Sequence, residues 1–186
     1  MKDRAIGMSG RFELDIPFVA QAHVLRITGV AAHTLQAWAN RRIVDLTVQN
    51  PAKGRKRMYS TLDIIAIGVI REMTDNGVSP SIASEIANIV KKYASEYWAS
   101  WKENFGGSIV KYGDPVLWNV KCYSTDYLIT WFDYKNNLQH RIVGGFDVGR
   151  LAEFERGCVT LLNVGSIVTG TINTTFDLWK SQQIGE

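Results

Sequence analysis

Thr28-Gly29-Val30, followed at once by Ala31-Ala32-His33-Thr34-Leu35-Gln36-Ala37-Trp38-Ala39-Asn40-Arg41-Arg42, decides how the rest of this sequence is read. Gly29 stops one short helical run, in which Phe18, Ala22 and Leu25 recur at helical spacing after Pro17. A second run begins near His33 and puts Leu35, Trp38 and Ala39 on one face, leaving Thr34, Gln36, Ala37 and Arg41 on the others. Two short helices joined by a tight glycine-containing turn make a helix-turn-helix, the arrangement that lays its second helix in the DNA major groove.

On the C-terminal side, Ile43-Val44-Asp45-Leu46-Thr47-Val48 alternates like a strand, Asn50-Pro51-Ala52-Lys53-Gly54 is a turn, and Arg55-Lys56-Arg57-Met58-Tyr59 returns. The pattern predicts a β-hairpin with a basic tip. Ser60 or Thr61 then caps a third helix whose Leu62, Ile65, Ala66, Val69, Ile70 and Met73 fit the i, i+3, i+4, i+7 template, and Asn76-Gly77 ends it. Ser79-Pro80 opens a fourth, with Ile82, Ile86, Ile89 and Val90 inward. On the N-terminal side, residues 1–15 carry Gly7, Ser9, Gly10 and mixed charge without periodicity, which predicts a flexible arm.

Residues 16–92 resemble the DNA-binding domain of the mercury-resistance regulator (MerR) family. The resemblance is carried by Phe18-Val19-Ala20 through Leu25, Thr28-Gly29-Val30, Thr34-Leu35-Gln36-Ala37-Trp38 and Arg41-Arg42-Ile43-Val44. It continues through the basic wing ending Arg57-Met58-Tyr59-Ser60, then Asp63-Ile64, Ile70-Arg71-Glu72-Met73 and Asn76-Gly77-Val78-Ser79. It implies a winged helix-turn-helix of four helices plus a β-hairpin wing, with double-stranded DNA as partner. There are departures. Ala31 stands where the family has Ser or Thr, which removes a side-chain N-cap worth about 1 kcal/mol. Gln36-Ala37 stand at the family's Arg-Tyr pair and Met58 at the second basic residue of its wing, so the family's base preference does not carry over.

Charge supports the same assignment. Up to Lys92 there are 13 Lys and Arg against 8 Asp and Glu, a net of +5; beyond it there are 8 against 10, a net of −2. DNA affinity comes largely from cations on one surface. Arg41 and Arg42 after the second helix, with Lys53, Arg55, Lys56 and Arg57 on the hairpin, supply six within 17 residues. Gln36 is the residue best suited to direct readout, because its amide pairs bidentately with adenine, while His33 and Thr34 reach bases or phosphates at the helix N-terminus. The resemblance adds Ala37 as a reading position and Tyr59 as a residue that packs the wing and contacts a phosphate.

Aromatics divide the opposite way, with 16 of 20 beyond Lys92. From Pro80 a helical stripe of Ile86, Val90, Tyr93, Tyr97, Trp101 and Phe105, widened by Trp98, runs to Gly106-Gly107 and predicts an extended linking or dimerisation helix over 80–105. Residues 107–186 read as a small antiparallel, β-rich α+β domain for dimerisation or sensing. Strands are expected at 116–123, with Trp118, at 127–134, with Trp131, and at 139–143 after an Asn136-Asn137 turn; a short helix is expected over 146–156, and 158–168 fits strand or helix. The aromatics suit a core, a homodimer interface or a small-molecule effector pocket.

Other classes are excluded or disfavoured. No stretch approaches the roughly 20 apolar residues of a membrane span, and Met1-Lys2-Asp3-Arg4 leads into no apolar signal segment, which predicts a cytoplasmic protein. Cys122 and Cys158 lack CxxC spacing, and His23, His33 and His140 do not form a metal-ligating set. Gly144-Gly145-Phe146-Asp147-Val148-Gly149 lacks the spacing of a dinucleotide or phosphate loop, and no catalytic constellation emerges, so neither enzyme activity nor a cofactor is expected. The sequence thus predicts an α+β, DNA-binding transcriptional regulator, a repressor acting as a homodimer. Two alternatives stay open: a phage- or plasmid-type repressor or excisionase-like DNA-architecture factor without a ligand, and a protein-interaction module whose basic wing meets an acidic partner.

Overall fold

In a computed structural model of the chain, residues 12–49, 51, 54–105, 126–133, 135, 137–144 and 160–184 are described. The chain divides into two compact units, Met1–Lys102 with Thr174–Glu186, and Glu103–Asn173. In order, the elements are β1 (Val19–Ala20), α1 (Gln21–Thr28), α2 (Ala32–Asn40), β2 (Met58–Tyr59), α3 (Thr61–Asp75), α4 (Pro80–Phe105), β3 (Asp126–Phe132), β4 (Leu138–Gly144), β5 (Thr160–Leu162) and α5 (Val164–Ile184).

The first unit is built on α3, whose Ile64, Ile65, Ile67, Val69, Ile70 and Met73 are all buried. Its start is fixed by a reciprocal cap: the Asp63 backbone N–H donates to Ser60 Oγ at 3.1 Å, and the Ser60 N–H donates to Asp63 Oδ2 at 2.9 Å. Helix α4 buries Ala83, Ile86, Ala87, Val90, Ala94 and Trp98, a stripe at helical spacing. Within the stretch read as an arm, Phe12 and Leu14 are buried. Phe12 lies edge-on to Phe18, Trp98 and Phe176, with centroids 5.3–6.0 Å apart. The C-terminal part of α5 belongs to this unit, where the Thr61 hydroxyl donates to Thr175 Oγ1 at 3.1 Å, both side chains being buried.

The second unit holds a three-stranded antiparallel sheet in the order β4-β3-β5, with Leu128 paired to Ile142 on one side and Leu162 on the other. At the hairpin tip the Asp133 carboxylate accepts the N–H groups of Lys135 and Asn137, each at 2.8 Å, and these bonds hold its pKa below the usual carboxylate value. The Asx turn closes β3 onto β4.

Two expectations are corrected and one left open is resolved. Residues 43–48 form turns, not the first strand of a hairpin; β2 instead pairs antiparallel with β1, Val19 opposite Tyr59. The alternation is real, since Val44 and Leu46 are buried, but the backbone donors find other acceptors: Ile43 N–H reaches Trp38 O, Leu46 N–H reaches Gln49 Oε1 and Thr47 N–H reaches Asp63 Oδ1. The first helix begins at Gln21, so Phe18 precedes it, and its buried residues are Val24 and Thr28 rather than Ala22 and Leu25. Residues 158–168 contain both a strand, β5, and the start of the long helix α5; the β-branched residues Ile167, Val168, Thr169, Ile172 and Thr175 disguise that helix. The strand expected at 116–123 and the helix expected at 146–156 lie outside the described residues.

Candidate nucleic-acid interface

The turn between α1 and α2 is set by backbone chemistry. Gly29 adopts φ +67°, and its N–H donates to Leu25 O at 2.8 Å, ending α1. The Thr28 hydroxyl donates to Val24 O at 2.8 Å and accepts the Val30 N–H. From α3, 43 positions along the chain, the Arg71 guanidinium donates to Thr28 O and lies so close over Gly29 that a Cβ there would meet Arg71 Nη1 at 2.4 Å. Glycine is thus favoured at this position by its left-handed conformation, while the space above it is taken by the far end of a flexible arginine that can shift.

Helix α2 starts without a side-chain cap at Ala31 and contains no charged residue. Leu35, Trp38 and Ala39 bury its inner face. Ala32, His33, Gln36 and Asn40 are exposed, while Thr34 and Ala37 are half-buried. Across the exposed face Gln36 Nε2 donates to Asn40 Oδ1 at 2.7 Å.

The helix closes on arginines. Arg42 takes φ +56°, the left-handed conformation that glycine usually fills at a helix end, and its N–H donates to Ala39 O at 3.2 Å while Ile43 N–H reaches back to Trp38 O at 2.9 Å. Arg41 and Arg42 are both exposed.

From there the chain runs through a loop held by side chains. Gln49 Nε2 donates to Ala39 O at 2.7 Å, and Arg57 Nη2 donates to Gln49 O at 2.9 Å, so the base of the loop is tied to the C-terminal end of α2. Asp63, fully buried, accepts from the Thr47 N–H at 2.9 Å and the Thr47 hydroxyl at 3.1 Å, with Lys91 Nζ of α4 at 3.9 Å. Lys91 also donates to Asp45 O at 2.8 Å. Arg55 and Lys56 are exposed, Arg57 is half-buried, and Lys53 lies outside the described residues. Tyr59, 1% exposed, is the strand residue that carries the loop back; burial raises its pKa, opposed by a hydrogen bond from Arg57.

Of the binding residues expected from sequence, the fold therefore brings together two sets: the uncharged exposed face of α2, and the cations Arg41, Arg42, Arg55 and Lys56. Arg57 and Tyr59 are taken up in positioning the loop. Sequence reasoning passed over Asn40, Gln49 and the anchoring role of Asp63. Asn40 follows Gln36 by one helical turn and Ser60-x-x-Asp63 has capping-box spacing, both readable signals; nothing local marks Gln49.

The aromatic candidates separate too. Tyr93 and Tyr97 stack at 6.4 Å and are half-buried. Trp98, 6% exposed, packs on Phe12, and its Nε1 donates to Glu13 Oε2, which also accepts Lys102 Nζ at 2.7 Å. An open cavity of about 200 Å³ beside these groups is smaller than the roughly 300–1,000 Å³ of ligand pockets. Trp131 is half-buried on β3; Trp118 and the side chains of Trp101 and Phe105 lie outside the described residues. Among the described residues no helix is long and apolar enough to cross a membrane and no group of His, Cys, Asp and Glu could hold a metal.

Comparison with known families bears on the first unit alone. Residues 22–88 match the family model described as MerR HTH family regulatory protein. The matched stretch, from α1 into α4, is similar to the helix-turn-helix domain of that family of regulatory proteins. No curated protein matches the chain significantly.

Proposed function

We propose that the chain is a transcriptional regulator whose first unit docks on double-stranded DNA with α2 in the major groove. The observation that carries this reading is the web through Gln49, which ties a loop bearing Arg55 and Lys56 to the end of the helix that bears Arg41 and Arg42, inside the stretch that matches the family. In this reading those four cations, with Lys53, neutralise phosphates, which supplies most of the affinity. His33, Thr34, Gln36 and Ala37 face the bases or the adjoining phosphates. Arg57 and Tyr59 hold the loop in place.

A single small unit of this kind covers few base pairs, so a homodimer on paired half-sites is the assembly that gives useful specificity. With Trp98 taken up by packing, a small-molecule effector would be received by aromatics of the second unit such as Trp131. Selection of bound fragments from the source genome, followed by a mass measurement of the complex, tests the reading. Enrichment of discrete sites bound by two copies is the expected result; uniform recovery of bulk DNA would favour an architectural factor, and no recovery would favour a protein-interaction module.

A further inference from the structure

Gln36 and Asn40 present two amides on the exposed face of α2, already bonded to each other at 2.7 Å. We infer that they form one reading unit and that it specifies an A·T base pair. The inference rests on the docking of α2 proposed above and adds the chemistry of what it reads.

The bond uses one N–H of Gln36 and leaves its other N–H together with Oε1. Those are the donor and acceptor that match N7 and N6 of adenine in the major groove. Asn40 keeps both of its N–H groups for a neighbouring acceptor, such as O4 of thymine. An exposed glutamine otherwise samples many rotamers, and the bond to Asn40 removes part of that freedom before DNA arrives.

The rest of the face agrees with this preference. Ala32, one turn before Gln36, offers a methyl suited to contact with the thymine methyl, and residues 32–40 contain no Arg or Lys to fork onto guanine O6 and N7. The cations lie after the helix, at Arg41 and Arg42 and on the loop, where they serve phosphates rather than bases.

The test is selection from a random duplex library with the full chain, followed by titration of the best duplex. A·T at the positions facing α2 is expected, with an affinity loss of about tenfold or more when 7-deazaadenine, which lacks the N7 acceptor, replaces the central adenine. Gln36→Ala should erase the preference at that position and Asn40→Ala should weaken it several-fold. Both residues are exposed, so neither change should disturb folding. Selection of G·C at those positions, or an unaltered preference in both variants, overturns the inference while leaving DNA docking intact. Absence of salt-dependent duplex binding in the unaltered chain would instead remove the docking itself, and the inference with it.

Discussion

In the proposed function the exposed face of α2 and the loop that follows it divide the work of one interface by opposite means. The α2 face is uncharged and depends on a helix fixed by local backbone bonds: the Gly29 turn, the Arg42 close and a buried Leu35–Trp38–Ala39 side. The loop is charged at Arg55 and Lys56 and shows no strand among its described residues before β2; the side chains of its own Gln49 and Arg57, with Asp63 and Lys91 from α3 and α4, hold it. The difference teaches that, in the proposed function, base reading and phosphate binding rest on different supports joined at Gln49, so each can be weakened with the other retained.

The largest effect should come from the loop's buried anchor. Asp63→Ala removes the carboxylate half of the reciprocal cap of α3, leaving the Thr47 and Ser60 N–H groups without their acceptor and Lys91 without its counter-charge, a loss of roughly 3 kcal/mol or more in denaturant unfolding. Asp63→Asn, which keeps an oxygen for Thr47, is expected to lose less. An unfolding midpoint unmoved by Asp63→Ala would show that the loop does not depend on this carboxylate.

Arg42 separates conformation from charge. A non-glycine residue at φ +56° costs stability, so Arg42→Gly should raise unfolding stability by up to about 1 kcal/mol while removing one cation and weakening duplex binding. Arg42→Ala should weaken binding equally without the stability gain. Unchanged affinity in both variants would remove Arg42 from the interface.

The smallest effect belongs to Tyr59. Burial raises its pKa above 10.0 in the folded state, so the folded chain holds a proton that the unfolded chain gives up. That contribution is complete below pH 10.0 and is lost as pH rises from there through the folded-state pKa. In Tyr59→Phe the fall in stability above that pH should be shallower than in the unaltered chain, as read by unfolding at a series of alkaline pH values.

The same contrast explains what the sequence makes legible. The turn at Thr28-Gly29-Val30, helix α3 and the full length of α4 are announced by glycine, a capping box and periodicity, although Arg71, 43 positions away, also bonds the turn. The loop defeats pattern reading because Val44 and Leu46 alternate as in a strand, yet both are buried by contacts outside any sheet, and Thr47 bonds a carboxylate 16 positions away. The α4 stripe is right at Ile86, Val90 and Trp98, which are buried, but its other members Tyr93 and Tyr97 are half-buried, and the small Ala83, Ala87 and Ala94 complete the buried line instead. Helix α5 hides behind β-branched residues whose helical state is set by tertiary packing, as with Thr175 against Thr61. Of the candidate site, residue types and their clustering are readable, but the split between cations that stay exposed and Arg57, which turns inward to Gln49, is not.

The most direct test of the account is the salt dependence of duplex affinity, measured side by side for the full chain, for the double variant Arg55→Ala with Lys56→Ala, and for Gln36→Ala. The full chain is expected to lose affinity steeply with added salt, and the double variant to show a slope shallower by about 0.9 for each phosphate contact removed. Gln36→Ala should keep the original slope while losing discrimination between sites. Equal slopes for the full chain and the double variant would contradict the assignment of the loop cations to DNA.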